Sequence, residues 1–358
     1  MDVVESVIWF AAGVAVLVLV LDSALRTFVL PRGVATMLTR AVFVSLRGGF
    51  NVVARWCSTY EARDRVMALY APVGLLVLPT AWLVLVLFAY TAMFHALDVP
   101  QFERAFEMSG SSLLTLGFVR PPDLATNVLA FVEAATGLGL LALLIAYLPT
   151  IYGAFSRREA LVAQLAVRSS DPPSGVTILA RAQAMERFDL LDDLWVPWQV
   201  WFSEVEETHT SLGVLSFFRS PRAQRSWVTA AGAVLDAASL RLAVVDMVFA
   251  PQAGLCVRSG AFALQAVAEY FAIAVDPDPL PTDPIAITRS EFDDACERLE
   301  AAGIPLVEDR DQAWRDFAGW RVNYDRAVVA LAGMVMAPYA PWSSDRSLRY
   351  RRPPLRHH

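Results

Sequence analysis

Few residues in this chain have the types and spacing that catalytic or metal chemistry requires. Glu206 and His209 reproduce half of a di-iron carboxylate signature, but no second Glu-x-x-His follows them. The three cysteines form no Cys-x-x-Cys pair, so they indicate neither a zinc site nor a disulfide framework. The sequence has no lysine, which excludes Schiff-base chemistry and a P-loop. We therefore predict no enzyme, no metal site and no organic cofactor.

A second set of chemically interesting residues lies in apolar surroundings. Glu133 is the only charged residue in 124–155, and an ionisable side chain at membrane depth predicts a functional role. Asp22 and Arg26 are four residues apart, so they share a helix face and can pair. That pair is either a buried lock or a feature of the membrane interface. The apolar run ends at Leu21, which favours the interface.

Long apolar helices must position these residues. Hydrophobic residues make up 56% of the 358 residues and charged residues 18%, against about 45–50% and about 25% in soluble domains. Residues 70–97 contain no charged side chain, which is typical of a membrane span. The sequence predicts an all-α membrane protein with three transmembrane helices, a re-entrant helix and loop, and an all-α cytoplasmic domain. The predicted parts are a first transmembrane helix at 1–30, a basic amphipathic interfacial linker at 31–67, a helix–loop–helix membrane module at 68–155 and a helical cytoplasmic domain at 156–358.

The arginines are distributed unevenly between the segments that join the spans. The linker 31–65 holds six arginines and 156–168 holds three, whereas 98–122 holds two. By the positive-inside rule, the linker and the tail are expected in the cytoplasm, and the N-terminus and 98–122 outside. The net charge of −6 gives no indication of nucleic-acid binding. The expected localisation is therefore the cell membrane, and the first expected partner is the lipid bilayer.

The segment 98–122 is too apolar for an ordinary exposed loop. Its part from Phe102 to Leu114 has helical spacing, and Glu103 suits the positive N-terminal end of a helix. A helix of that length cannot cross a bilayer, which requires about 20 residues. We therefore expect a re-entrant helix followed by non-helical backbone at Thr115–Val119. Such backbone is tolerated at membrane depth only when it is buried in protein or lines a water-filled cavity.

The order span, short helix, Thr-Leu-Gly-Phe, span carries a family resemblance. Thr115, Gly117 and Phe118 match the Thr-Val-Gly-Tyr-Gly filter of the tetrameric potassium channel superfamily, which has Phe variants, and Leu116 replaces the usual Val. The module at 68–155 thus resembles a potassium-channel pore module. The resemblance implies a homotetramer in which Thr115 to Val119 supply rings of carbonyl oxygens to a monovalent cation.

The resemblance also assigns supporting roles to residues around the loop. It implies filter support from Ser111, Ser112 and Glu133, and an inner-helix hinge or gate at Gly137, Gly139 and Pro149. Glu133 is expected to accept hydrogen bonds from loop amides or Ser111, or to pair with Arg120 of a neighbouring copy.

Two departures from the family pattern stand at the outer end of the loop. Val119 replaces the last filter glycine, whose backbone angles strain a β-branched residue. Arg120 replaces the usual acid and puts positive charge at the outer mouth of a tetramer. These departures predict a cation pore with altered or lost selectivity.

The tail is expected to be a helical domain of no recognisable ligand-sensing type. Residues 156–358 hold 21 arginines and 26 acidic residues. Ser220 and Ser290 are predicted to cap the starts of helices, and His357 and His358 could be an expression-tag remnant. A stripe of tryptophans that steps by three is interpreted as core, and comprises Trp195, Trp198 and Trp201. Helices are expected at 156–169, 176–191, 194–218, 221–248, 252–275, 289–302 and 310–336. No cytoplasmic partner is indicated.

Three functions are compatible with these features. The first is an ion-channel-like membrane protein, a tetrameric cation pore regulated by its helical cytoplasmic domain. The second is a non-conducting membrane sensor or scaffold that keeps the pore fold. The third is a membrane-tethered enzyme, which the residue inventory disfavours because the tail has a single histidine before its terminus.

Overall fold

The protein is helical throughout the part of the chain that the structure describes. The structure is a computed structural model, and it describes residues 2–28, 30, 36–97, 99 and 101–347, apart from the side chains of residues 189 and 190. The terminal histidines His357 and His358, and Arg32 of the linker, lie outside the described residues.

Contacts divide the chain into two compact units, Met1–Gly153 and Ala154–His358, which we call unit 1 and unit 2. Within the described residues there is one isolated bridge, between Val245 and Leu306, and no β-strand. The all-α prediction is therefore confirmed.

Thirteen α-helices, α1 to α13, occur in the described part of the chain. They are Val3–Phe28, Met37–Arg55, Tyr60–Ala68, Tyr70–Ala96, Phe102–Leu113, Leu124–Arg168, Gly175–Ala184, Asp192–Ser211, Trp227–Ala243, Pro251–Tyr270, Arg289–Ala301, Arg310–Val335 and Ser344–Ser347. Three stretches are long and apolar enough to cross a membrane, namely α1, α3 continued by α4, and α6. This number agrees with the three predicted spans.

Unit 1 is organised around α4. The side chain of Trp82 is fully buried there, and its indole nitrogen donates to Ser23 Oγ of α1 at 3.2 Å. A buried indole N–H needs an acceptor, so this bond fixes α1 against α4. The helix α6 buries one stripe of residues spaced by three, four or seven and leaves its opposite side exposed. The stripe comprises Thr126, Ala130, Glu133, Gly137, Leu140, Tyr147 and Ile151.

The basic linker differs from the single amphipathic helix that its spacing predicts. The chain leaves the helical conformation after Arg55, and Thr59 starts α3 by accepting a hydrogen bond from the amide of Ala62 at 3.2 Å. A threonine side chain that satisfies a free amide in this way is a strong start signal. Asp22 and Arg26 do pair, at 2.8 Å, and both side chains are about half exposed, which agrees with the interface alternative.

Unit 2 is built around α9, in which every residue except Leu242 is buried. The predicted tryptophan stripe is confirmed as core, since Trp195, Trp198 and Trp201 of α8 are each at most 2% exposed. An apolar stripe of that kind buries several hundred Å² and accounts for the packing of α8 on α10.

Two predicted helix caps in unit 2 are wrong. The helix expected at 221–248 with Ser220 as its cap begins at Trp227, where Ser226 Oγ accepts from the amide of Val228. The helix expected at 289–302 does begin at Arg289, but Thr288 rather than Ser290 caps it, through a reciprocal capping box with Glu291. In both places a neighbouring residue supplies a side-chain oxygen at the distance that the free amides require.

An ionic network lies inside the core of unit 2. The guanidinium of Arg321 is fully buried and donates to the carboxylates of Asp236 and Asp325 and to the carbonyl oxygen of Trp342. Tyr324 completes the network by donating to Asp236 at 3.0 Å. Burial opposes the charge on Arg321, but the two carboxylates outweigh it and raise the pKa of this guanidinium above its ordinary value. The four groups therefore depend on one another for their partners.

Candidate functional site

The helix α5 and the loop that follows it form the most unusual backbone of unit 1. Glu103 occupies the first turn of α5, where a carboxylate favours the positive helix end. One face of α5 is buried through Ala105, Met108 and Leu113. After the loop, Asp123 accepts a hydrogen bond from the amide of Thr126 at 2.9 Å and begins α6. The predicted short helix is thus present with nearly the predicted bounds.

The amides of the loop point back to the end of α5. Five of the six amides in 114–119 donate to Gly110, Ser111 or Ser112. These bonds are Leu114 to Gly110 O at 3.2 Å, Thr115 to Ser112 O at 3.0 Å, Leu116 and Gly117 to Ser111 O at 2.8 and 3.4 Å, and Val119 to Ser111 Oγ at 3.2 Å. Ser111 therefore organises the loop through both its carbonyl and its hydroxyl.

The carbonyl oxygens of the loop have the opposite character. No donor among the described residues bonds to a carbonyl of 114–119. The side chains of Leu116 and Phe118 are also exposed, by 60% and 66%. In this segment of unit 1, five of the six amide donors are used internally, and the carbonyl acceptors have no partner among the described residues.

The backbone of the loop is strained at a residue that the sequence did not indicate. Thr115 has φ 56° and Gly117 has φ 73°. A β-branched residue in this left-handed region costs of order 1–3 kcal/mol. Val119, at which strain was expected, has no positive φ. Strain of this kind persists only where surrounding contacts impose it, and here Ser112 holds the amide of Thr115 while Ser111 holds those of Leu116 and Gly117.

Glu133 meets a different partner from those expected. Its side chain is fully buried, and its Oε1 lies 2.5 Å from Ser109 Oγ. Ser109 Oγ in turn lies 2.9 Å from the carbonyl oxygen of Leu87. Contacts with the loop amides or with Ser111 are therefore absent among the described residues. Ser109, about one turn before the end of α5, thus links Glu133 of α6 to Leu87 of α4.

The remaining predicted site residues differ in how deeply they are buried. Gly137 is buried against the end of α5, whereas Gly139 faces open space. Pro149 is exposed and lies within α6, which continues through it to Arg168. Arg120 is exposed and forms no ion pair with the described residues. Ser112 takes part in the loop through its carbonyl oxygen.

Replacing Gly137 with alanine is expected to destabilise the protein, although alanine favours helices over glycine by about 1 kcal/mol. A Cβ at Gly137 would lie 2.7 Å from Leu113 O and 2.9 Å from Leu113 Cδ1. Overpacking of this kind costs about 1–3 kcal/mol. The matched change Gly139→Ala meets no atom within 4 Å and should raise thermal stability in detergent. Equal shifts of the two melting temperatures would contradict this assignment.

The half-signature Glu206-x-x-His209 does not form a metal site. Glu206 is exposed, while His209 is fully buried with its Nε2 3.1 Å from Arg158 Nη1. Burial and the adjacent guanidinium lower the pKa of His209 well below its ordinary value. In the described part of the chain, no three His, Cys, Asp or Glu side chains converge to hold a metal.

Sequence reasoning did not identify the contact of Ser109 with Glu133 or the packing of Leu113 against Gly137, which join α5 to α6. Their signal was the periodicity of α5, in which Ala105, Ser109 and Leu113 are four residues apart. The chain matches no protein-family model, no curated protein and no solved structure.

Proposed function

We propose that four copies of this chain assemble in a membrane around the loop 114–119 and form a cation pore. Unit 2 then lies in the cytoplasm as a regulatory domain, and the N-terminus lies outside. The orientation rests on the arginine distribution. The pore rests on the loop and on its resemblance to the potassium-channel filter.

The observation that carries this proposal is the polarity of the loop. Five of its six amides donate to the end of α5, and its carbonyl oxygens have no partner among the described residues. Unpaired carbonyls between two membrane spans are tolerated only if they meet water, an ion or another chain. Rings of such carbonyls are the means by which channels replace an ion's hydration shell.

The exposed apolar surface supports assembly of several copies. Leu116 and Phe118 are exposed on the loop, and one side of α6 is exposed through Val128 and Phe131. One loop supplies only part of a closed ring of oxygens, so a pore requires further copies. A homotetramer provides four loops around one axis.

The direct test is flux through the purified full-length chain in liposomes, together with its subunit count. Cation flux by a fourfold oligomer is the expected result. An oligomeric state other than four would overturn the pore. A fourfold oligomer that passes no ion under any gradient would favour the non-conducting sensor or scaffold. The exposed Arg120 is the observation that favours this second function.

The double change Val119→Gly with Arg120→Asp is expected to increase the preference of the pore for cations over chloride. It removes four positive charges from the outer mouth of a tetramer and adds four negative ones, which attract cations. The measurement is the reversal potential under a salt gradient. The charge-conserving change Arg120→Lys is the control and should leave that potential unchanged. An unchanged potential in the double variant would contradict the role of these residues.

A further inference from the structure

Unit 2 contains a basic pocket that is separate from the loop of unit 1. The pocket has a volume of about 20 Å³, room for one water-sized oxygen atom, and it is partly open to solvent; its lining includes Arg219, Ser220, Arg225 and Ser226. None of its lining residues is acidic, although the tail of the chain has more acidic residues than arginines. The pocket therefore has a positive surface within a negatively charged unit.

Three polar groups of this pocket are buried and have no hydrogen-bond partner among the described residues. They are the hydroxyls of Ser216 and Ser220, which are 1% and 8% exposed, and the Nε of Arg225. A buried polar group without a partner costs about 1–3 kcal/mol. Three such groups around one pocket indicate that the site is built for a ligand that accepts hydrogen bonds.

The neighbouring groups hold the pocket in a fixed shape. Arg219 donates to the carbonyl oxygen of Val335 at 2.7 Å and so caps the end of α12. The indole of Trp227 donates to Ser216 O at 3.1 Å. Arg158 donates to the carbonyls of Leu215 and Phe218 at 2.9 and 2.7 Å, on both sides of Ser216. The donors are thus positioned before any ligand arrives, which lowers the entropic cost of binding.

The start of a helix adds to the positive character of the pocket. Ser226 caps α9, a helix of 17 residues, and the pocket includes its first residue, Trp227. The N-terminus of a helix carries a partial positive charge and favours anions. Two guanidinium groups, two unpaired hydroxyl groups and this helix end therefore line the same pocket.

We propose that this pocket binds a phosphoryl group, with one oxygen directed to the hydroxyls of Ser216 and Ser220 and the charge held by Arg219 and Arg225. The group can belong to a soluble phosphate compound or to an anionic lipid headgroup, which share this chemistry. The proposal concerns unit 2 alone, so it stands or falls independently of ion flux through the loop.

The first test measures binding of inorganic phosphate to the full-length chain in detergent by phosphorus NMR, at constant ionic strength against chloride. Arg225→Gln is expected to raise the dissociation constant by about tenfold or more, since a hydrogen bond to a charged group contributes about 1.5–3 kcal/mol. Arg222→Gln is the matched control, because Arg222 is exposed and does not line the pocket. Equal losses in both variants would indicate general charge attraction and overturn the site.

A second variant tests phosphate binding with a substitution that should not impair folding. Ser216→Ala with Ser220→Ala removes two hydroxyls that have no partner, so the fold should be at least as stable as before. Phosphate binding should nevertheless weaken by about tenfold. Unchanged phosphate binding in this variant would overturn the proposal.

The source of the phosphoryl group is distinguished by competition. Bound phosphate is measured while phosphatidic acid in mixed micelles is added. Micelles that contain phosphatidylcholine instead are the control. Displacement by phosphatidic acid identifies a site that accepts lipid headgroups, and undiminished phosphate binding identifies a site for soluble phosphates. Absence of saturable binding of both phosphate and phosphatidic acid would overturn the proposal.

Discussion

Replacing Gly117 with valine is expected to abolish cation flux in liposomes while the fourfold oligomer remains assembled. Gly117 has φ 73°, a conformation in which a β-branched residue is a steric outlier. Its amide and that of Leu116 both donate to Ser111 O. Valine would have to leave this conformation or remain in it at a cost of order 1–3 kcal/mol. In a tetramer that cost arises four times around one axis.

The control for this change is Gly49→Val. Gly49 lies within α2, and a Cβ there meets no atom within 4 Å, so the same substitution adds the same atoms without strain. Flux and oligomeric state should match those of the unmodified protein. Flux that survives in the Gly117 variant, with assembly intact, would show that ions do not pass along this loop.

Replacing Arg321 with methionine is expected to lower the free energy of unfolding of unit 2 by about 3–5 kcal/mol. The side chain of Arg321 is fully buried, and its guanidinium donates hydrogen bonds to Asp236, Asp325 and the carbonyl oxygen of Trp342. Methionine would fill much of the volume but leave two carboxylates facing each other in the core. The cost is that of two buried negative charges that have lost their only cation in the network, which exceeds the cost of a lost neutral hydrogen bond.

Urea unfolding followed by tryptophan fluorescence measures this effect, because seven of the ten tryptophans lie in unit 2. Arg315→Met on the same helix is the control. Arg315 is exposed, and Gln312 is its only hydrogen-bond partner among the described residues, so its replacement should change stability by no more than about 0.5 kcal/mol. Adding Asp236→Leu to the Arg321 variant should restore part of the stability, since it removes one of the unpaired charges. Similar losses for Arg315 and Arg321 would refute the account.

Much of the fold follows from the sequence because membrane spans and amphipathic helices have strong periodic signals. The uncharged run 70–97 predicted α4 closely, and the spacing of Phe102 to Leu114 predicted α5 to within one residue. The wrong cap assignments at Ser220 and Ser290 have a common cause. Several serines and threonines near each boundary can act as caps, and the choice depends on packing that composition does not reveal.

The loop was predictable in position but not in its contacts. The pattern placed non-helical backbone at Thr115–Val119, and that backbone is present. Glu133 was expected near Ser111, yet it contacts Ser109. Residues two apart on a helix point roughly 200° apart around its axis, so the rotation of α5 decides which serine meets α6. That rotation is set by burial of the α5 face, and its local signal is the four-residue spacing of Ala105, Ser109 and Leu113.

The contacts of Ser109 have a consequence for where hydrogen atoms reside. Its oxygen lies 2.9 Å from Leu87 O and 2.5 Å from Glu133 Oε1, but a hydroxyl has one hydrogen and can donate it once. Both contacts are hydrogen bonds only when the carboxyl of Glu133 carries a hydrogen of its own. In that arrangement Glu133 donates to Ser109 and Ser109 donates to Leu87. The helices α6, α5 and α4 are then joined by two consecutive hydrogen bonds, and all three groups in this chain are uncharged.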